Sequence, residues 1–168
     1  MTTRALELLA ADGPHPAYPK ELDLYGQFVG SWQVANRSFD ETTGRWYENS
    51  FEWAFGWVLN GRAVQDVIRV PADQTPTGEV WVGTTIRVYD PKLDAWRVNW
   101  FGPGAGLFCS LIGRAHGDEI RQDGSQHDGR PIRWNFSDIS DTGFTWRGYV
   151  SDDDGVTWRL EQEMRATR

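Results

Sequence analysis

Two charged residues, Arg62 and Asp66, lie four positions apart on a segment that otherwise alternates like a β-strand. Residues 57–70 read WVLNGRAVQDVIRV. The Asn-Gly pair predicts a hairpin turn, and the apolar side of the strand after it also carries Arg62 and Asp66. Four residues span about 13 Å of a regular strand, so these two side chains do not reach each other. Because an unpaired buried charge is costly, each needs another partner inside the fold.

Asp66 is the candidate for catalysis. In an apolar cavity a carboxyl group favours its neutral form, which suits a general acid or base. The same carboxyl could instead anchor the polar group of a ligand, or simply be hydrogen-bonded to its neighbours. These three interpretations stay open.

The remaining reactive side chains form no metal or nucleophile constellation. His15 lies near the N-terminus, whereas His116 and His127 lie in successive turns, which alternating hairpins place at opposite ends of a barrel. Cys109, the single cysteine, has no histidine nearby in sequence, which predicts a buried, inert thiol and a reducing compartment. We expect no metal and no cofactor.

Composition and charge limit the classes of binding partner. The 168 residues carry a formal charge of −7 and their basic residues are scattered, which argues against nucleic acid and anionic membranes. The N-terminus has only a short apolar run, so we expect a soluble, cytoplasmic protein without signal peptide. The oligomeric state is open, a homodimer being one option. The ten tryptophans either fill a large interior or wall a cavity.

The elements that position these residues follow from periodicity. Residues 1–19 are expected to form a tail, and residues 20–168 a single domain. Helical spacing after Pro19 predicts one short helix over 20–29. From Ser31 the period is two, and nine turn signals separate ten strands without a crossover helix. The chain is therefore predicted to be all-β, an antiparallel up-and-down barrel whose closure removes the sheet edges, with a two-sheet sandwich as the alternative.

The apolar parity of each strand assigns the inward face. It places Val82 and Thr84 inside and Arg87 and Glu161 outside, and it also places Trp158 and Leu160 inside. The strand over 107–114 is apolar on both sides and stays unassigned. The predicted ligand-binding residues are Asn36, Asn49, Trp53, Arg62, Asp66, Thr84, Trp100, Phe108, Trp134, Trp146 and Gln162.

The segment FVGSW, which follows a short helix and opens the first strand, resembles the Gly-x-Trp entry of calycin-type barrels such as lipocalins and fatty-acid-binding proteins. The segments VLNGRAVQDV, GTTIRVYDPKLDAWRVNW and DGRPIRWNFSDI, with others over residues 21–166, resemble a bacterial calycin-like family of unknown function. The resemblance implies a barrel with a ligand cavity. It also implies an arginine stacked on Trp32 at the closed end, for which Arg62 and Arg165 are the candidates. No histidine follows His127, which disfavours the haem-binding relatives, and the motifs of phenolic acid decarboxylases cannot be matched.

The sequence thus favours binding of a small, largely apolar or aromatic molecule inside the barrel. The mouth is predicted at turns 40–44, 71–78, 102–106, 127–129 and 152–155, because the helix should plug the other end. The alternative is a cofactor-independent cyclase, isomerase or hydro-lyase that uses Asp66 as acid or base. In a third interpretation the tryptophans fill the barrel and the protein acts through its surface.

Overall fold

The computed structural model describes residues 3–168 as a closed antiparallel barrel of ten strands. Each strand pairs with its neighbours in sequence, and β1 pairs with β10 to close the barrel, so the predicted up-and-down topology is confirmed. The strands are β1 (Gly30–Asp40), β2 (Arg45–Val58), β3 (Ala63–Val70), β4 (Trp81–Asp90), β5 (Ala95–Gly102), β6 (Leu107–His116), β7 (Glu119–Gln126), β8 (Pro131–Ser137), β9 (Gly143–Val150) and β10 (Arg159–Thr167). Closure leaves no sheet edge open, which excludes the two-sheet sandwich.

Two helices precede the barrel, α1 (Arg4–Leu9) and α2 (Pro19–Gly26). Helix α2 begins at Pro19, next to the predicted start, where the missing N–H of proline costs nothing, and it ends at Gly26, three residues before the predicted end. It buries Leu22 and Tyr25 in one end of the barrel. Below it, aromatic rings fill the interior, with centroids 4.8 to 6.3 Å apart in most pairs; they belong to Tyr25, Phe28, Trp32, Phe55, Phe136 and Phe144. This end is a packed core.

The segment before α2, which the sequence analysis set apart as a tail, lies against the β2–β3 turn. Ala10 forms an isolated bridge with Val58, and the His15 backbone N–H donates to the Gly61 carbonyl at 3.0 Å. Gly61 has a φ of +72°, and a Cβ there would clash with the backbone of Gly13 and His15. Helix α1 within this segment was not predicted.

The arginine on Trp32 is Arg168, and neither Arg62 nor Arg165 takes that position. The Arg168 guanidinium carbon lies 4.0 Å from the ring centroid, and its Nη1 donates to the Val29 carbonyl at 3.0 Å. Arg62 is exposed in the β2–β3 turn, near His15 and the ring of Tyr18. Arg168, which follows β10 directly, therefore links the end of β10 to the start of β1.

The predicted facing of β4 is wrong by one residue. Thr85 and Arg87 are buried inside the barrel, whereas Val82 is 49% exposed. Thr84 faces outward, where its Oγ1 donates to the Asp66 carbonyl oxygen at 2.6 Å. Register explains the facing: Asp66 pairs with Thr85, and directly opposed residues point to the same side of a sheet. An apolar outer face on β4 misled the parity rule.

A β-bulge changes the facing of β10. The register shifts between Leu160 and Gln162, so Glu161 is an extra residue opposite β9. Before the bulge, Leu160 pairs with Tyr149 on the outer face, and the Trp158 ring packs 4.2 Å from the Arg133 guanidinium. The prediction that Trp158 and Leu160 face inward is therefore wrong.

Candidate ligand cavity

The half of the barrel away from α2 contains a cavity of about 820 Å³. It opens among the turns that follow β1, β3, β5 and β7, represented by Glu41, Pro76, Gly104 and Asp128. These four belong to the turns that the sequence analysis placed at the mouth. The barrel is therefore packed in its closed half and hollow in its open half.

Two tryptophan rings, those of Trp100 and Trp146, lie along the cavity wall because glycines stand beneath them. A Cβ on Gly83 would come within 2.5 Å of Trp100 Cζ2, and one on Gly102 within 2.7 Å of Trp100 Nε1. Gly148 stands in the same way under Trp146. Since a side chain at these positions would push an indole toward the centre, the glycines keep the cavity open.

A further glycine–tryptophan contact lies at the mouth. A Cβ on Gly104 would lie 3.3 Å from Cδ1 of Trp81. Trp81 lines the cavity although the sequence analysis did not place it inside. On the opposite wall, Trp134 and Trp146 form an edge-to-face pair with centroids 5.3 Å apart.

An amide network forms the polar side of the wall. Asn36 Nδ2 donates to Asn49 Oδ1 at 2.8 Å, and Gln162 Nε2 donates to Asn36 Oδ1 at the same distance. Asn49 Nδ2 in turn donates to the Gln74 carbonyl at 3.0 Å, which ties the loop after β3 to the barrel. The structure brings these three predicted residues, Asn36, Asn49 and Gln162, together in one wall.

Asp66 and Arg87 form a buried ion pair below the cavity. Asp66 Oδ1 accepts a hydrogen bond from the Thr85 backbone N–H at 2.9 Å, and Oδ2 accepts one from Arg87 Nη1. The Arg87 guanidinium lies 5.2 to 5.7 Å from the ring centroids of Tyr25, Phe55 and Phe136. Arg87 and Thr85 line the cavity and Asp66 stands behind them, so the geometry gives no support to a catalytic role for Asp66.

Two buried donors at the floor have no partner among residues 3–168. They are Nε of Arg87 and Nε1 of Trp53, on side chains that are 1% and 2% exposed and that both line the cavity. A buried donor without a partner is destabilising, so these two atoms are a local cost at the base of the cavity.

Glu161 is the carboxylate that the bulge turns toward the cavity. Burial raises the pKa of Glu161, and the negative charge of Glu41 raises it further. Nearby Arg130 and Arg159 are engaged elsewhere: both bind Glu41 and Asp152 at 2.9 to 3.0 Å. In the part of the chain that the structure describes, Glu161 forms no ion pair.

The predicted site residues other than Asp66 divide into two groups. Trp53, Trp100, Trp134 and Trp146 line the cavity together with the amide residues Asn36, Asn49 and Gln162. Arg62, Thr84 and Phe108 do not: Arg62 lies in an exposed turn, Thr84 on the outer face of β4, and Phe108, 46% exposed, on the outer face of β6. Parity could not assign β6, and the structure turns Cys109 and Leu111 inward instead.

Sequence reasoning missed Trp81, Thr85, Arg87 and Glu161. The position of Arg87 could have been predicted. An inward Asp66 needs a positively charged partner, and of the two possible facings of β4 one turns Arg87 into the barrel. For Glu161 there was none, because a bulge leaves no mark in the hydrophobic pattern.

Across residues 3–168, no cluster of three or more His, Cys, Asp and Glu side chains is arranged to hold a metal ion. No helix in the same range has the length and apolar character needed to cross a membrane.

No model of a known protein family matches this sequence, and the comparison with curated proteins finds no match either. Solved structures do match. Rv2717c from M. tuberculosis aligns with a TM-score of 0.64 at 14% identity, over 89% of this chain and 97% of that one. The S-type phycobiliprotein lyase CPES from Guillardia theta aligns with a TM-score of 0.60 at 10% identity, over 92% and 98%. Both neighbours are antiparallel barrels consistent with a calycin-like fold, and at these identities they establish the fold alone.

Proposed function

We propose that this chain binds a small, largely apolar or aromatic molecule inside the open half of its barrel. The observation that carries the proposal is the glycine-backed tryptophan wall. The tryptophan rings could have filled the lumen. They lie against the barrel wall instead and leave about 820 Å³ open. That volume falls within the range typical of small-molecule pockets, about 300–1,000 Å³.

The chemistry of the lining suits a flat, mostly apolar ligand with a polar end. Indole faces provide stacking surfaces, and the few polar groups converge at the floor and on the amide wall. The interpretation that aromatic side chains fill the barrel holds for the closed half, where Phe28, Phe136 and Phe144 pack together. It does not describe the open half.

The structural neighbours are compatible with this proposal. One of them is by name a phycobiliprotein lyase. The likeness to that protein is one of fold, and the proposed binding rests on the cavity of this chain. Membership of the bacterial calycin-like family, cytoplasmic location, the absence of a cofactor and the oligomeric state stay predictions.

The alternative is an enzyme that needs no cofactor, a cyclase, isomerase or hydro-lyase. It would require an acid or base other than Asp66, whose carboxylate is committed to Arg87 and Thr85. Among the carboxyl groups that line the cavity, Glu161 is the one whose pKa is raised by burial, which suits such a role.

Tryptophan fluorescence tests the proposal directly. Titration with a panel of two- to four-ring aromatic compounds should give saturable quenching. The change should shrink in Trp100→Phe and persist in Trp46→Phe, because Trp46 lies outside the barrel and is 43% exposed. Absence of quenching by every compound, or equal loss of signal in both variants, would refute binding inside the barrel.

A further inference from the structure

We propose that the ligand carries an organic ammonium group, which pairs with Glu161 at the rim while its aromatic body stacks on the tryptophan wall. This inference rests on the proposed function, since it names the chemical class of the molecule that the cavity would take.

The position of Glu161 is the first argument. The bulge in β10 inserts this residue beside Gln162, and Gln162 pairs with Gly148, over which the rings of Trp146 and Trp134 lie. A carboxylate is thereby placed at the edge of a tryptophan pair and lines the cavity. Quaternary and primary ammonium groups are bound in proteins by this combination of aromatic faces and negative charge.

The charges around Glu161 are the second argument. Glu41 approaches it from the β1–β2 turn, Asp128 and Arg130 from the β7–β8 turn, and Arg159 from its own strand. Arg130 and Arg159 already bind carboxylates of Glu41, Asp128 and Asp152, which outnumber them. Glu161 adds a further negative charge to this rim, so the local field favours a cation over an anion.

A metal ion does not fit the same place, because residues 3–168 hold no cluster of three or more potential metal-ligating side chains. An organic cation needs one carboxylate and aromatic contacts, and both are present. Its apolar body would occupy the lumen between Trp100 and Trp134, which a bare ion would leave empty.

The pairing has a defined pH dependence. The pKa of Glu161 lies above its ordinary value of 4.5, chiefly because of burial and secondly because of Glu41. Selectivity for a cation is therefore full where Glu161 is ionised and is lost as the pH falls through this raised pKa. Cys109, which Glu161 also influences, stays protonated throughout, since burial raises the pKa of its thiol to about 12.

The test compares three probes that share one aromatic body: 2-naphthylmethylammonium, 2-naphthylmethanol and 2-naphthoate. Calorimetric titration of the full chain at neutral pH should give the tightest binding for the ammonium compound, on the order of tenfold over the alcohol. Glu161→Gln should abolish that preference and leave the affinity for the alcohol unchanged. Glu79→Gln is the matched control, because Glu79 is exposed on the loop after β3 and removes the same charge without lining the cavity.

Each outcome decides between the two proposals. Equal binding of ammonium compound and alcohol, or a preference that survives Glu161→Gln, overturns the cation site and leaves the proposed cavity function intact. A preference for naphthoate also overturns it and points instead to the arginines that line the cavity, Arg87 and Arg130. Binding of none of the three overturns both proposals.

Discussion

Gly83→Ala is the substitution that addresses the cavity wall most directly. The added Cβ would lie 2.5 Å from Trp100 Cζ2 and closer still to Cη2, whereas ordinary contact begins near 3.4 Å. The indole must therefore move by about 1 Å, and the open side is the lumen. Overpacking costs about 1–3 kcal/mol in general, and because the ring has empty space before it we expect the low end, about 1 kcal/mol.

The effect on binding should exceed the effect on folding. A displaced Trp100 no longer offers its face to the ligand, and an aromatic stacking contact is worth about 0.5–1.5 kcal/mol. The dissociation constant of an aromatic ligand should therefore rise by roughly twofold to tenfold. Urea unfolding measures the first quantity and fluorescence titration the second, while the near-ultraviolet circular dichroism of the free protein reports the moved indole.

Gly56→Ala is the matched control for this change. Gly56 lies within β2, and a Cβ there meets nothing within 4 Å. The control should bind ligand like the parent protein and unfold at the same or slightly higher urea concentration. If Gly83→Ala bound ligand as tightly as Gly56→Ala, Trp100 would not form the binding wall and the argument from the glycines would fail.

Three further outcomes follow from the charged residues. Asp66→Asn should reduce the free energy of unfolding by about 3–5 kcal/mol, because it leaves Arg87 charged and buried. Adding Arg87→Met should restore part of the lost stability, and urea unfolding of both variants measures the two changes. Arg168→Ala should cost about 0.5–1 kcal/mol through its contact with the first-strand tryptophan, and Arg62→Ala less, because its guanidinium lies farther from the ring of Tyr18. Glu161→Gln should stabilise the protein at neutral pH, since the folded-state pKa of Glu161 is raised and its ionised form opposes folding; the gain should vanish as the pH falls toward 4.5 in the same assay.

The barrel itself could be predicted because its signals are local and repeated. Alternation with period two marks the strands, and the turn residues between them show where each strand ends. The lack of a crossover helix makes successive strands antiparallel neighbours, and closure follows because it removes the exposed sheet edges. The mouth followed as well, because the helix that precedes Gly30 must cover one end and alternating turns then define the other.

The floor of the cavity could not be read from hydrophobic parity. Parity assumes that polar residues face water, and β4 violates this at both faces: Val82 is on the outside and Arg87 on the inside. Pairing of Asp66 with Arg87 overrides the pattern, because a buried carboxylate without a partner would cost more free energy than the burial of Val82 would gain. Reasoning from the unmet need of Asp66, rather than from β4 alone, would have found the partner.

Two unfavourable features of this chain lie on the wall of the cavity, and that arrangement argues for a binding function. The closed half is packed like a core: its rings lie together, and Trp32 Nε1 donates to the Phe28 carbonyl at 2.7 Å, although Gln122 Nε2 is buried there without a partner in the described chain. The cavity wall instead holds glycines where larger residues would fill space, and the unpaired carboxylate of Glu161. Both features lower stability, and both become favourable when a ligand supplies an aromatic face or a positive charge. A barrel that acted only through its outer surface would gain nothing from keeping both on the wall of one cavity.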